Sequence, residues 1–265
     1  MIILICYGKD GTMGLDVYAG TLTRYYGRNW KNIVQQWGEA NGMKVHIVRP
    51  ESQNVEIAPP EEIEQGVSGW RDHILDALSE VITEPANWAE DYDTTPYYTD
   101  KPDWAAIEAL QLYVACLKTG TPVPKTVKKG FTVSDEDVYK QYMETKEEPV
   151  SLFDTDNWWL PIKEAFMFQG YLPTGDEMIF ATVGLLRQEL EEINSFEWQA
   201  DEQTILDWTN TEGYPDDVYF GENGLSPIRE HEEYDTVSLA KLAFSILWRA
   251  VLHSEQYGTL IIFDF

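Results

Sequence analysis

A chain of 265 residues, 43% hydrophobic and 13% aromatic, can bury a sizeable core, which excludes wholesale disorder. Its 46 acids against 19 bases leave a net charge of -27, and a surface of that sign repels nucleic acid and anionic membranes. No apolar run approaches the length of a bilayer span, and two cysteines, Cys6 and Cys116, make no disulfide framework, so the chain is expected in the cytoplasm.

The opening Ile-Ile-Leu-Ile-Cys run at residues 2–6 is too short for a signal-peptide core and lacks a basic leader, so it reads as a buried strand. A Gly-rich turn leads to a second strand near residues 15–18. Residues 29–40 read as a helix capped by Asn29, with Trp30, Ile33, Val34 and Trp37 on its core face and Asn41-Gly42 as its stop. The alternation at residues 45–48 completes a βαβ-like order, and residues 50–60 are a polar loop. From Pro59-Pro60 a helix is expected to about Val81, because Ile63, Val67, Trp70, Ile74, Leu78 and Val81 recur at spacings of 4, 3, 4, 4 and 3. Gly66 and Gly69 inside it point to a close helix contact.

Residues 84–103 form a long aromatic and acidic connection, and loops of that length often carry function. A helix follows over 102–117 with Trp104, Ile107, Leu110, Val114 and Leu117 inward, then a linker over 120–130 and a polar helix over 134–148 capped by Ser134. Asp154-Thr-Asp156-Asn157 resembles half of a calcium loop but lacks the glycine and terminal glutamate, so it reads as a turn. Strands are expected near 158–162 and 165–168. Ile179, Val183, Leu186, Leu190 and Ile193, spaced 4, 3, 4 and 3, predict a helix over 176–194. A shorter helix at 200–208, a surface loop at 209–235, a helix at 236–254 and a strand at 260–265 complete the chain. The first and last strands, both apolar, are expected to be neighbours in one sheet. The fold class is therefore α+β or α/β: a helix-rich single domain around a small sheet holding both chain ends.

Residues 13–26, Met-Gly-Leu-Asp-Val-Tyr-Ala-Gly-Thr-Leu-Thr-Arg-Tyr-Tyr, resemble the opening of a family of uncharacterised bacterial proteins. The resemblance implies a bacterial source and brings no activity or catalytic residue. It leaves two starts open, Met1 and Met13, residues 1–12 being an upstream extension in the second case.

Residues 14–37 are the densest chemical stretch, with Asp16, three tyrosines including Tyr25 and Tyr26, and the cations Arg24, Arg28 and Lys31. A helix over 24–31 would align those three cations, although Gly27 interrupts it. Charge divides along the chain: residues 1–50 carry +3 and residues 51–265 carry -30, with a second basic island of four lysines between Lys118 and Lys129. The islands either converge on an anion or neutralise the protein's own acids. Phosphate-loop, dinucleotide and nucleophile-elbow motifs are absent, and the four histidines show no ligand spacing, so no cofactor or metal is expected. His231 with Glu230, Glu232, Glu233 and Asp235 reads as a charged loop before a divalent-metal site.

Two functions from different classes follow. In the first the chain binds a basic protein, as immunity proteins and inhibitors do, with surface acids steering the encounter and aromatics anchoring it. In the second it is a carboxylate-based hydrolase or small-molecule binder whose pocket joins Asp16, Arg24, Tyr25, Tyr26 and Arg28 to Trp88, Tyr97, Tyr98, Asp100 and Trp104 of the aromatic connection. A third reading gives the acids no role beyond solubility.

Overall fold

The computed structural model describes residues 2–6, 14–48, 57–215, 218–221, 224–227 and 231–265. The Gly-rich turn after residue 6, most of the loop at 50–60, and Glu230 lie outside them. The fold is α+β. Its contacts divide the chain into two compact units, each assembled from separated stretches: Met1–Lys101 with Val150–Glu191 and Arg249–Phe265, and Pro102–Pro149 with Glu192–Trp248.

The first unit holds a six-stranded mixed sheet. The strands are β2 (Asp16–Gly20), β4 (Tyr98–Asp100), β6 (Trp158–Leu160), β7 (Met167–Tyr171), β8 (Glu177–Thr182) and β12 (Leu260–Asp264), in the order β4-β2-β12-β6-β8-β7. Only β6 and β8 run parallel; the other pairs are antiparallel. Alternation along each strand directs Tyr18, Trp158, Leu160, Phe180, Leu260 and Ile262 into one core cluster. Val67 and Ile74 of α3 (Pro60–Ala77) cover it, together with Leu22 and Trp88. Gly20 is needed where β2 ends, because a Cβ there would overlap the Tyr18 hydroxyl, which turns back to donate to Thr21 O at 2.9 Å.

The first strand does not join this sheet. β1 (Ile2–Cys6) pairs in parallel with β3 (Lys44–Val48), from Ile2 opposite Lys44 to Cys6 opposite Val48. A parallel pair needs a crossover, and α2 (Ile33–Ala40) lies within it. Both flanks of β12 are already bonded, to β2 and to β6, which leaves β1 no edge beside it.

Other boundaries also move. α1 (Leu22–Tyr26) stops before Gly27, so Arg24, Arg28 and Lys31 do not share a helix face, and Arg28 takes a left-handed backbone. The cap of α2 is Asn32 rather than Asn29: Asn32 Oδ1 accepts from Gln35 N while Gln35 Oε1 accepts from Asn32 N, a reciprocal capping box. Trp37 is 43% exposed instead of buried. α3 ends at Ala77, leaving Val81 50% exposed, and a Cβ on Gly66 or Gly69 would meet none of the described atoms. Residues 177–182, expected as helix, are strand because Met178 and Phe180 alternate inward; Phe180 stacks on Phe168 across the hairpin, with centroids 5.4 Å apart. α7 (Val183–Ile193) then begins.

The second unit is mainly helical. It contains α4 (Asp103–Thr119), α5 (Asp137–Thr145), α8 (Glu202–Thr211) and residues 236–248 of α9 (Thr236–Tyr257). The residue before α5 is Glu136, and Ser134 falls in a 3-10 turn over Val133–Asp135, so the expected serine cap is not made. Trp198, Trp208 and Phe244 meet edge to face, with centroids 5.0 to 5.8 Å apart, and Tyr113 stacks on Trp198. Part of the expected loop at 209–235 forms strands: β9 (Val218–Gly221) pairs with β10 (Gly224–Pro227), and β11 (Glu233–Asp235) pairs with β5 (Thr126–Lys128). Among the described residues no helix is long and apolar enough to cross a membrane.

Candidate functional site

The aromatic connection does fold back onto the opening stretch. Its centre is Glu90, whose carboxylate accepts from Leu22 N (3.3 Å), Thr23 N (2.9 Å), Thr23 Oγ1 (3.0 Å) and Trp88 Nε1 (2.9 Å). Leu22 N and Thr23 N are among the donors that the first turn of a helix leaves unsatisfied. Burial pushes the Glu90 carboxyl above the usual range against the pull of its hydrogen bonds. Thr21 Oγ1 donates to Asp91 O at 2.6 Å. Asp91 in turn accepts from Thr94 N, Thr95 N and Thr95 Oγ1. Burial opposes its ionised form, but the Thr95 and Thr94 hydrogen bonds outweigh that and hold its pKa below the usual value.

Arg24 is only 7% exposed. Nη2 donates to Thr95 O at 2.9 Å and the guanidinium lies over the Tyr97 ring, 5.0 Å from its centroid, while Nε has no partner. It does not pair with Asp16. Asp16 Oδ2 accepts from Asn32 Nδ2 at 3.1 Å and Lys101 Nζ lies 3.9 Å from Oδ1; one strand residue cannot reach both the α2 cap and α1. Tyr25 donates to Asp264 Oδ1 at 2.6 Å and stacks on Trp30. Burial, and then Asp264, raise its hydroxyl far above the ordinary phenol value, and burial lifts Tyr26 to about 12. Tyr97 Oη accepts from Lys31 N at 3.1 Å. Tyr98 donates to Asp100 Oδ2 at 3.1 Å, its hydroxyl raised by burial and then by Asp100.

The structure thus brings Arg24, Tyr25, Tyr26, Trp88 and Tyr97 into one tied cluster. Asp16 sits beside the α2 cap, and Tyr98 with Asp100 on edge strand β4. Trp104 belongs to α4 in the second unit, and Arg28 is exposed. At neutral pH the raised phenols are uncharged, and the Glu90 and Asp91 carboxylates hold backbone donors. Sequence reasoning did not single out Glu90, because its role depends on a fold-back across 67 and 68 residues.

The second unit carries a cleft of about 430 Å³ between residues 210–215 and 231–238. Among the described residues no three His, Cys, Asp or Glu side chains are placed to hold a metal ion. Lys118 of the second basic island pairs with Glu192 of the same unit. No protein-family model, curated protein or solved structure matches the chain.

Proposed function

We propose that this protein acts by binding a basic protein, as an inhibitor or immunity-type partner does. One observation carries the reading: with 46 acids and 19 bases, 27 carboxylates remain even if every base takes one. α3 illustrates the surplus. Glu61, Glu62, Glu64, Asp72 and Asp76 are exposed on it, and its arginine, Arg71, is paired to Asp72 at 2.7 Å. Such a surface speeds encounter with a cationic partner, and the attraction weakens with salt. Affinity capture from the organism that makes the protein, read by mass spectrometry, tests this. A basic protein retained at low salt and released at high salt is expected; recovery of none at low salt would overturn the reading.

Arg24 favours a second reading, a small-molecule pocket beside it, because its Nε is unpartnered and no carboxylate lies within ion-pair distance among the described residues. An anionic ligand would complete its donor set. In that case Arg24→Ala abolishes ligand binding in a screen of small carboxylates and phosphates; an unchanged binding profile would discard the pocket.

A further inference from the structure

The cleft in the second unit has the volume of a small ligand site, within the roughly 300 to 1,000 Å³ such sites occupy. One wall is aromatic: the Tyr214 and Tyr234 rings meet edge to face with centroids 5.3 Å apart. The Tyr214 hydroxyl is committed to Pro102 O at 2.9 Å, and burial, then Asp103, hold it well above the ordinary phenol value, so what it contributes is a neutral ring. Ser238 Oγ accepts from Gly213 N at 2.9 Å and closes one end.

The opposite chemistry comes from β11. Glu233 and Asp235 alternate about Tyr234, so they share a strand face. Each uses one oxygen internally: Glu233 Oε2 accepts from Thr126 Oγ1 and Asp235 Oδ1 from Ser238 N, both at 2.9 Å. Among the described residues nothing uses Glu233 Oε1 or Asp235 Oδ2, so both serve as acceptors. Neither residue forms an ion pair among the described residues, although Lys128 stands opposite Glu233 in the β-ladder; the third lining carboxylate, Glu212, lies 3.4 Å from Lys241 Nζ. The same residues are not placed to share a metal ion. An extended organic cation with several N–H donors and a flat face fits better.

We propose that this cleft receives an arginine side chain of a basic partner, its guanidinium donating to Glu233 and Asp235. The proposal rests on the reading of the protein as a binder of basic proteins. Guanidinium is preferred to ammonium because its planar fork serves two carboxylates at once.

Calorimetry at low salt with an oligo-arginine peptide, and an oligo-lysine peptide of equal length, provides the test. Glu233→Gln with Asp235→Asn removes two charges from the cleft; Asn still caps α9. Glu61→Gln with Glu64→Gln removes two from α3. The cleft variant is expected to lose oligo-arginine affinity by at least about ten-fold, against a small change for the α3 variant, and the wild type to prefer arginine over lysine. If the cleft variant fails to fold, Glu233→Gln alone reads the same loss. Equal weakening by both variants, or equal affinity for both peptides, would overturn the cleft while leaving the basic-partner reading standing. No binding of either peptide by the wild type would overturn both.

Discussion

The aromatic connection that lies as a lid on the opening stretch of the first unit and the cleft of the second are built from the same residue types, yet they treat their polar groups in opposite ways. Around Glu90 each carboxylate oxygen receives a donor from the chain, and Arg24 gives its charge to a carbonyl and a ring. In the cleft, Glu233 and Asp235 each keep an oxygen that nothing in the described structure uses. Density of chemical side chains is therefore a poor guide to function. Most buried polar groups are satisfied by the fold, so the richest stretch is also heavily engaged, with Arg24 Nε left over.

Breaking the lid at its centre gives the largest expected effect. Glu90→Ala strands four donors and is expected to cost on the order of 3 to 5 kcal/mol in urea unfolding; a loss below about 1 kcal/mol would show that the lid is not held there.

A second engaged carboxylate sharpens the comparison through pH. Glu189 accepts from Ser151 N (2.5 Å) and Ser151 Oγ (2.6 Å), and burial raises its pKa to about 7 despite those bonds, with Asp154 adding to the rise. Between the unfolded and folded pKa the folded state holds a proton that the unfolded chain has released, so stability falls as pH rises from the ordinary carboxylate range toward 7. The change is about 3 kcal/mol. Glu189→Gln should flatten that slope in urea titrations at acid and neutral pH; an unaltered slope would assign it elsewhere.

Arg24→Ala comes next, at about 1 to 3 kcal/mol. It removes the clamp on Thr95 without leaving an opposite charge buried, since its partners are a carbonyl and a ring. A loss as large as that of Glu90→Ala would reveal a charge partner. The smallest effect is expected in the cleft, where Glu233→Gln with Asp235→Asn should leave the urea midpoint unchanged; a marked fall would mean those carboxylates serve the fold.

Much of the fold was legible because helix periodicity is local. α3, α4 and α9 follow the 3.6-residue spacing of their apolar positions, and Gly120 ends α4 in the left-handed conformation expected of a C-cap. The Asn32-x-x-Gln35 capping box was equally readable, and Asn29 was the wrong choice among two similar residues. Residues 177–182 defeat the same method, since Ile179 and Val183 fit a helix while Met178 and Phe180 fit a strand, and pairing with β7 decides. Partner choice is non-local, which is why β1 was assigned to the wrong sheet. Asp16 and Arg24 are close in sequence but reach different elements, so the partner that each takes is not readable from their spacing.

The difference between lid and cleft is tested most directly by hydrogen exchange on the wild-type protein with and without an oligo-arginine peptide at low salt. Slowed exchange over residues 210–215 and 231–238, with no change over residues 88–97, is the expected result. Protection confined to residues 88–97 would contradict it and return function to the aromatic lid.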